Sequence, residues 1–231
     1  MTSFWIDIPG VEPDGFSGFL TLPPAGSGPG IVLVQEIWGV NSHIRAVAEQ
    51  YALDGYVVLA PDAFWRQQPR VDLGYDEAGR TRAMELRQQA DDQQLGADIA
   101  AAARYLKTRE DVTGGVAAVG FCLGGQLAYR AAAASAVDAA VSYYGGGIQN
   151  NLDLASKISQ PILFHYAGLD KMIPEEAVAK VKARFADQYS AMFYDYPEVD
   201  HGFNCWGRPA YNQRASALAH GRTLSFLAEH L

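Results

Sequence analysis

Short runs of uninterrupted apolar residues alternate along this chain with longer segments in which apolar positions recur every three or four residues. Residues 31–35 form one such run. A polar turn at Asn41 and Ser42 follows, and Ile44, Val47, Ala48 and Tyr51 then mark one face of a helix that stops at Gly55. Residues 57–60, 116–121, 139–144, 162–166 and 191–196 read as further strands. Helical patterns occupy 124–134, 175–185 and 214–229. The charged segment 76–107 predicts two helices with a break near Gly96, the second carrying Ile99, Ala102, Ala103 and Leu106 on one face.

Strands that are apolar on both faces, each joined to the next by a helix of ten or more residues, belong in a parallel sheet covered on both sides. The expected fold class is therefore α/β, a mostly parallel, doubly wound sheet with helices on both faces. The opening differs, because 4–8 and 16–22, joined through Gly10 and Gly15, predict an antiparallel pair at the sheet edge. No linker, charge block or internal repeat divides the chain, so residues 1–231 are read as a single domain.

Composition narrows the function classes. Hydrophobic residues make up 49% of the 231 positions, enough to bury a large core without disulfides or metal. Acidic residues outnumber basic ones, 26 to 18, and the net charge of -8 disfavours phosphate backbones and anionic lipid, so neither a nucleic-acid nor a membrane partner is expected. No apolar run reaches the roughly 18 residues of a membrane span. The first basic residue is Arg45, so a secretory signal is not read at the N-terminus and a cytoplasmic location is expected. The two cysteines, Cys122 and Cys205, lie far apart in sequence and do not read as a disulfide framework. No His/Cys/carboxylate cluster has metal-ligand spacing, and neither metal nor cofactor is expected. A monomer is the expected assembly state.

In doubly wound sheets the ligand site lies beyond the carboxyl ends of the strands. Gly120-Phe121-Cys122-Leu123-Gly124-Gly125 stands there, directly after a strand and before an Ala-rich helix. This is the form of a nucleophile elbow with cysteine in the serine position, where glycines let neighbouring backbone approach a strained turn and the helix N-terminus favours a thiolate. Asp170 and His201 also follow strands. Their order after Cys122, nucleophile then acid then base, is that of an α/β-hydrolase triad. Asp200 is an alternative partner for the imidazole, although neighbours on a loop seldom point at each other. The elbow pattern also fits glutamine amidotransferases, but those enzymes have a glutamate two residues after the histidine, and no histidine here does. Cys205 reads as an ordinary packed thiol.

Gln35-Glu36-Ile37-Trp38-Gly39-Val40-Asn41, Pro61-Asp62, the cysteine elbow and His201-Gly202-Phe203 together resemble the dienelactone hydrolase (carboxymethylenebutenolidase) family of α/β-hydrolases. The likeness runs from about Gly30 to the final helix. It implies a Cys122, His201, Asp170 triad and a fourth catalytic residue, Glu36, held near the thiol at rest. It also implies an oxyanion hole made by the backbone N-H groups of Leu123 and Ile37. The substrate implied is a small lactone or ester: either an enol-lactone such as dienelactone, opened to maleylacetate through a thioester, or a broader range of activated esters using the same triad. Family members that hold a substrate carboxylate use an arginine, which falls here at Arg80 with Arg82 close by, and a hydroxyl beside the catalytic histidine, where this chain has Gly202. Trp38, Phe64, Trp65, Met84 and Phe203 line an apolar pocket on one reading of the sequence and belong to the core on the other.

Overall fold

The computed structural model describes residues 1–231 and contains eight strands: β1 (Thr2–Asp7), β2 (Ser17–Leu22), β3 (Gly28–Val34), β4 (Val57–Pro61), β5 (Val112–Phe121), β6 (Ala139–Tyr143), β7 (Ile162–Ala167) and β8 (Ala191–Tyr196). Six α-helices accompany them: α1 (Ser42–Leu53), α2 (Glu77–Gln89), α3 (Asp92–Lys107), α4 (Leu123–Ala133), α5 (Glu175–Arg184) and α6 (Gln213–His230). All the strands join one sheet in the order β1-β2-β4-β3-β5-β6-β7-β8. From β4 to β8 every neighbouring pair is parallel, while β1 and β2 run antiparallel at one edge. This is the mostly parallel, doubly wound sheet with an antiparallel edge expected from the apolar runs and the hairpin-like opening.

The residues in β3, β4, β6 and β7 are almost all buried because helices cover both faces of the sheet. On one face α1 meets α6, with the rings of Tyr51 and His220 5.1 Å apart and His220 Nε2 3.1 Å from Asp54 Oδ2. On the other, α3 lies against α4. One apolar cluster runs through both layers, from Leu20 on β2 to Phe226 and Leu227 on α6. No helix is long and apolar enough to cross a membrane.

The helix break expected at Gly96 falls earlier, at Ala90 and Asp91. Asp91 caps α3, its Oδ1 accepting the backbone N-H groups of Gln93 and Gln94 at 3.0 and 2.8 Å. Gly96 is inside α3 for a packing reason: a Cβ there would stand 3.2 Å from Cδ of Arg130 on α4, so glycine lets the helices close up. Two short 3-10 helices, Ile148–Asn150 and Leu152–Lys157, were not legible in the sequence. They are fixed by long-range bonds such as Tyr129 Oη donating to the Asn151 carbonyl at 2.8 Å.

Candidate active site

Adjacent parallel strands deliver two of the candidate residues to the same place. Val34 of β3 pairs with Gly120 of β5, so Glu36 and Cys122 each stand two residues beyond a paired position at the carboxyl end of the sheet. Cys122 has φ +56°, a conformation that costs an L-residue about 1 kcal/mol or more and persists only when the surroundings enforce it. The glycines around it are the enforcement. A Cβ on Gly120 would lie 1.9 Å from the Gly124 carbonyl oxygen, one on Gly124 2.2 Å from that of Val34, and one on Gly125 2.8 Å from Ser142 Oγ. No other residue permits so sharp a turn from β5 into α4. The Cys122 N-H donates to the Tyr143 carbonyl at 3.0 Å, which ties the elbow to β6.

Asp170 follows β7 and His201 follows β8, and the structure brings them together. His201 Nδ1 is 2.7 Å from Asp170 Oδ2, with both residues buried. The other carboxylate oxygen accepts the N-H groups of Met172 and Ile173 at 2.8 and 3.2 Å, so Asp170 both shapes its own turn and holds the imidazole. Asp200 instead accepts the backbone N-H of His201 at 2.6 Å and leaves the ring to Asp170. In the neutral imidazole an Nδ1-H directed at the carboxylate leaves the lone pair on Nε2, which is buried without a hydrogen-bond partner. Burial opposes a charge on this ring, but the bond to Asp170 and the nearby Cys122 outweigh it and raise the His201 pKa to about 10. The arrangement can take a proton from Cys122 and keep it.

Glu36 is buried, yet its one hydrogen bond is to Arg208 Nη1, at 2.9 Å from Oε1, and Oε2 has none. Burial raises the Glu36 pKa against the opposing effects of Arg208 and His201. The resemblance placed this carboxylate near the thiol; here it is clamped by a guanidinium that sequence reasoning missed. Arg208 lies seven residues past His201, in a loop whose sequence gives no periodic signal. Its guanidinium also lies 4.8 Å from the centroid of the Trp38 ring. Trp38 packs edge-on against Tyr75 at 5.0 Å, so it walls the same region. Cys205 is fully buried, and burial with Glu36 nearby pushes its thiol up to about 12.

The Ile37 and Leu123 amides flank the elbow, because Gly124 brings the start of α4 against the carbonyls of Val34 and Gln35. Neither N-H donates to a side chain, and that of Ile37 meets no backbone carbonyl. Arg80 stands apart: it is exposed, in a surface groove formed by α2 residues Glu77, Thr81, Met84, Glu85 and Gln88. Arg82 is partly buried and donates to Gln68 and Glu85. Of the other expected pocket residues, Phe64, Trp65 and Phe203 belong to the core and Met84 is exposed. Trp65 stacks on Phe16 at 5.4 Å and donates to Asp98 at 3.0 Å.

A family model described as the dienelactone hydrolase family matches residues 16–231. Carboxymethylenebutenolidase 1 of Cupriavidus pinatubonensis is 32% identical over 229 residues, covering 99% of this chain and 97% of that protein. The carboxymethylenebutenolidase of Pseudomonas putida is 34% identical over 224 residues, covering 96% and 95%. Among solved structures, a Klebsiella pneumoniae protein provisionally described as a dienelactone hydrolase superposes with a TM-score of 0.86 at 26% identity, covering 99% of both chains. A dienelactone hydrolase-like promiscuous phosphotriesterase, P91, from metagenomic libraries shares the fold with a TM-score of 0.82 at 24% identity, covering 99% and 98%. The chain belongs to the dienelactone hydrolase family and is a carboxylic ester or lactone hydrolase.

Proposed function

We propose that the protein opens enol-lactones such as dienelactone, giving maleylacetate, with Cys122 as nucleophile, His201 as base and Asp170 as the group that orients it. The observation that carries this reading is the 2.7 Å Asp170–His201 bond, which leaves a buried, unpartnered Nε2 beside a cysteine held at φ +56°. Two further features support it. Arg208 is a half-buried cation at the site whose only anionic partner is the displaceable carboxylate of Glu36, so a substrate carboxylate has a place to bind. An exchange of Arg208 from Glu36 to substrate frees Glu36 to help remove the thiol proton at the moment of binding. On position, Arg208 is a better anchor than Arg80, which faces solvent.

The thiolate attacks the lactone carbonyl, forming an S-C bond and placing negative charge on oxygen, which the Leu123 and Ile37 N-H groups receive. Collapse breaks the ring C-O bond and releases an enolate, which becomes the ketone by taking up at carbon the proton held on His201 and so leaves the imidazole neutral. Water deprotonated at His201 then attacks the thioester, the C-S bond breaks and Cys122 is regenerated. Both cysteines are free thiols, which suits a reducing, cytoplasmic compartment. A second reading, hydrolysis of neutral activated esters, is favoured by Gly202, which offers a substrate carboxylate no hydroxyl.

The test is kcat/KM on a dienelactone and on an aryl acetate of similar size, with wild type and Cys122→Ser. Wild type is expected to prefer the dienelactone, and the variant to lose about 10³-fold or more on both. Equal or faster turnover of the neutral ester would establish the second reading. Near-normal activity of Cys122→Ser would move the nucleophile elsewhere.

A further inference from the structure

Tyr144 is the first residue after β6, and it is one of four non-glycine residues with a positive φ, here +39°. Cys122 is another, and the two are braced by the same peptide unit. The Tyr143 carbonyl accepts the Cys122 N-H at 3.0 Å, while the Tyr144 N-H of that unit donates to the His165 carbonyl at 2.8 Å. The Tyr144 ring is fully buried and packs against the catalytic imidazole, with centroids 5.0 Å apart and planes at 59°, and against Phe203 at 5.4 Å. Its hydroxyl is buried with no hydrogen-bond partner.

A phenol oxygen left unpartnered in the interior costs about 1–3 kcal/mol, and phenylalanine would supply the same packing without that cost. A left-handed backbone and an orphan hydroxyl at one residue beside a nucleophile point to use rather than packing. The groups within electrostatic reach of the hydroxyl are Glu36, Cys205, Arg208 and Cys122. In the resting site Arg208 satisfies one oxygen of Glu36 and leaves the other, Oε2, without a partner. The hydroxyl is bonded to neither Glu36 Oε2 nor the Cys122 sulfur at rest, and of these two acceptors only the sulfur gains its charge during the reaction.

We propose that the Tyr144 hydroxyl is a further catalytic group, a neutral donor that hydrogen-bonds the Cys122 sulfur once that atom has lost its proton. The inference rests on Cys122 being the nucleophile. When the S-H bond breaks, its proton passes to Nε2 of His201 and the electron pair stays on sulfur. The Tyr144 O-H turns toward that charge without itself breaking. Burial, with Glu36 nearby, raises the Tyr144 pKa well above its ordinary value, so the group donates and does not act as a base.

Tyr144→Phe removes one oxygen and separates the alternatives. The readouts are the melting temperature, kcat/KM, and the rate of Cys122 alkylation by iodoacetamide against pH, with mass spectrometry distinguishing Cys122 from Cys205. The expected result is an unchanged or higher melting temperature, an alkylation rate at pH 7 and a kcat/KM each about 10-fold lower, and an alkylation midpoint about one pH unit higher. Unchanged alkylation would overturn the proposal, including the case in which hydrolysis alone falls, since the hydroxyl would then serve the oxyanion. A melting temperature lower by several degrees would overturn it too, by making the hydroxyl structural. Wild-type enzyme that keeps its activity after full Cys122 alkylation would remove the nucleophile reading itself. Inactivation by alkylation combined with unchanged Tyr144→Phe kinetics would remove only the role of Tyr144.

Discussion

With no side chain at position 202, the Arg208 guanidinium lies directly against the backbone that follows His201. A Cβ on Gly202 would stand 2.1 Å from Arg208 Nη1 and 2.6 Å from Cζ, and φ there is +86°. From sequence, this glycine reads only as a missing hydroxyl; in the structure its space is taken by the cation that clamps Glu36. Gly202→Ser is therefore expected to drive Arg208 off Glu36 and strand a buried carboxylate as well as strain the backbone. The backbone strain alone costs about 1–2 kcal/mol, and in a chain of this size each kcal/mol lowers Tm by about 2–4 °C. Calorimetry checks it: a drop of at least a few degrees is expected, and an unchanged Tm would mean that the guanidinium relocates freely. Cys122, Asp170 and His201 are legible in the sequence because each follows an apolar strand in a recognisable local pattern, whereas Glu36 enters only through the family resemblance. Arg208 is not, since a long side chain on an irregular loop reaches its partner from 172 positions away.

Among the elements, the junction of β5 and α4 carries the most constraint. Alanine is a better helix former than glycine by about 1 kcal/mol, so propensity alone would make Gly124→Ala stabilising. The contact geometry argues otherwise, because the added Cβ would sit 2.2 Å from the Val34 carbonyl and 2.7 Å from that of Gln35. Backbone cannot yield as a side chain does, so α4 must move away from β3, carrying the Leu123 amide and Cys122 with it. A displacement near 1 Å costs about 10²-fold in rate. Gly124→Ala is expected to keep its helical circular dichroism while kcat/KM falls by about that factor, and unimpaired turnover would show that the approach of α4 to β3 is not needed for catalysis. Elements were legible where local pattern and tertiary packing agree, as in β8, whose observed bounds match the apolar run at 191–196. They were misjudged where a distant contact decides: Gly96 reads as a breaker in isolation, and only Arg130 on the neighbouring helix shows why it is tolerated mid-helix.

Across the whole molecule, four neutral side chains from β6, α6, β7 and β8 form a buried hydrogen-bonded chain behind the site. Tyr143 Oη meets Thr223 Oγ1 at 2.7 Å, His165 Nε2 meets the same oxygen at 3.0 Å, and His165 Nδ1 meets Tyr196 Oη at 2.9 Å. A neutral imidazole fits, donating on one side and accepting on the other. A protonated one would add a charge to the interior, which burial and the neighbouring Arg222 oppose, and the His165 pKa falls to about 3. The unfolded chain binds this proton below about pH 6.5, and the folded protein does not until about pH 3. His165 thus contributes its full stability above pH 6.5 and loses it progressively as pH falls from there toward 3. His43, lowered to about 4 by burial and then by Arg208, acts in the same direction, while Asp62, raised to about 6 by burial, acts against it between about pH 4 and 6. Net charge alone argues the opposite trend, since acidification from -8 toward zero relieves self-repulsion. The buried histidine should prevail, because one proton taken up on unfolding from pH 6.5 down to pH 4 is worth on the order of 3 kcal/mol. Urea unfolding at pH 7 and pH 4 checks this. Wild type is expected to lose about 3 kcal/mol more than His165→Gln over that interval, whatever the variant's starting stability, and equal losses would assign the acid sensitivity elsewhere. The same imidazole chemistry is pushed up at His201 by a carboxylate and down at His165 by a neutral interior, so one residue type answers a charged partner beyond one strand and an apolar interior inside the neighbouring strand.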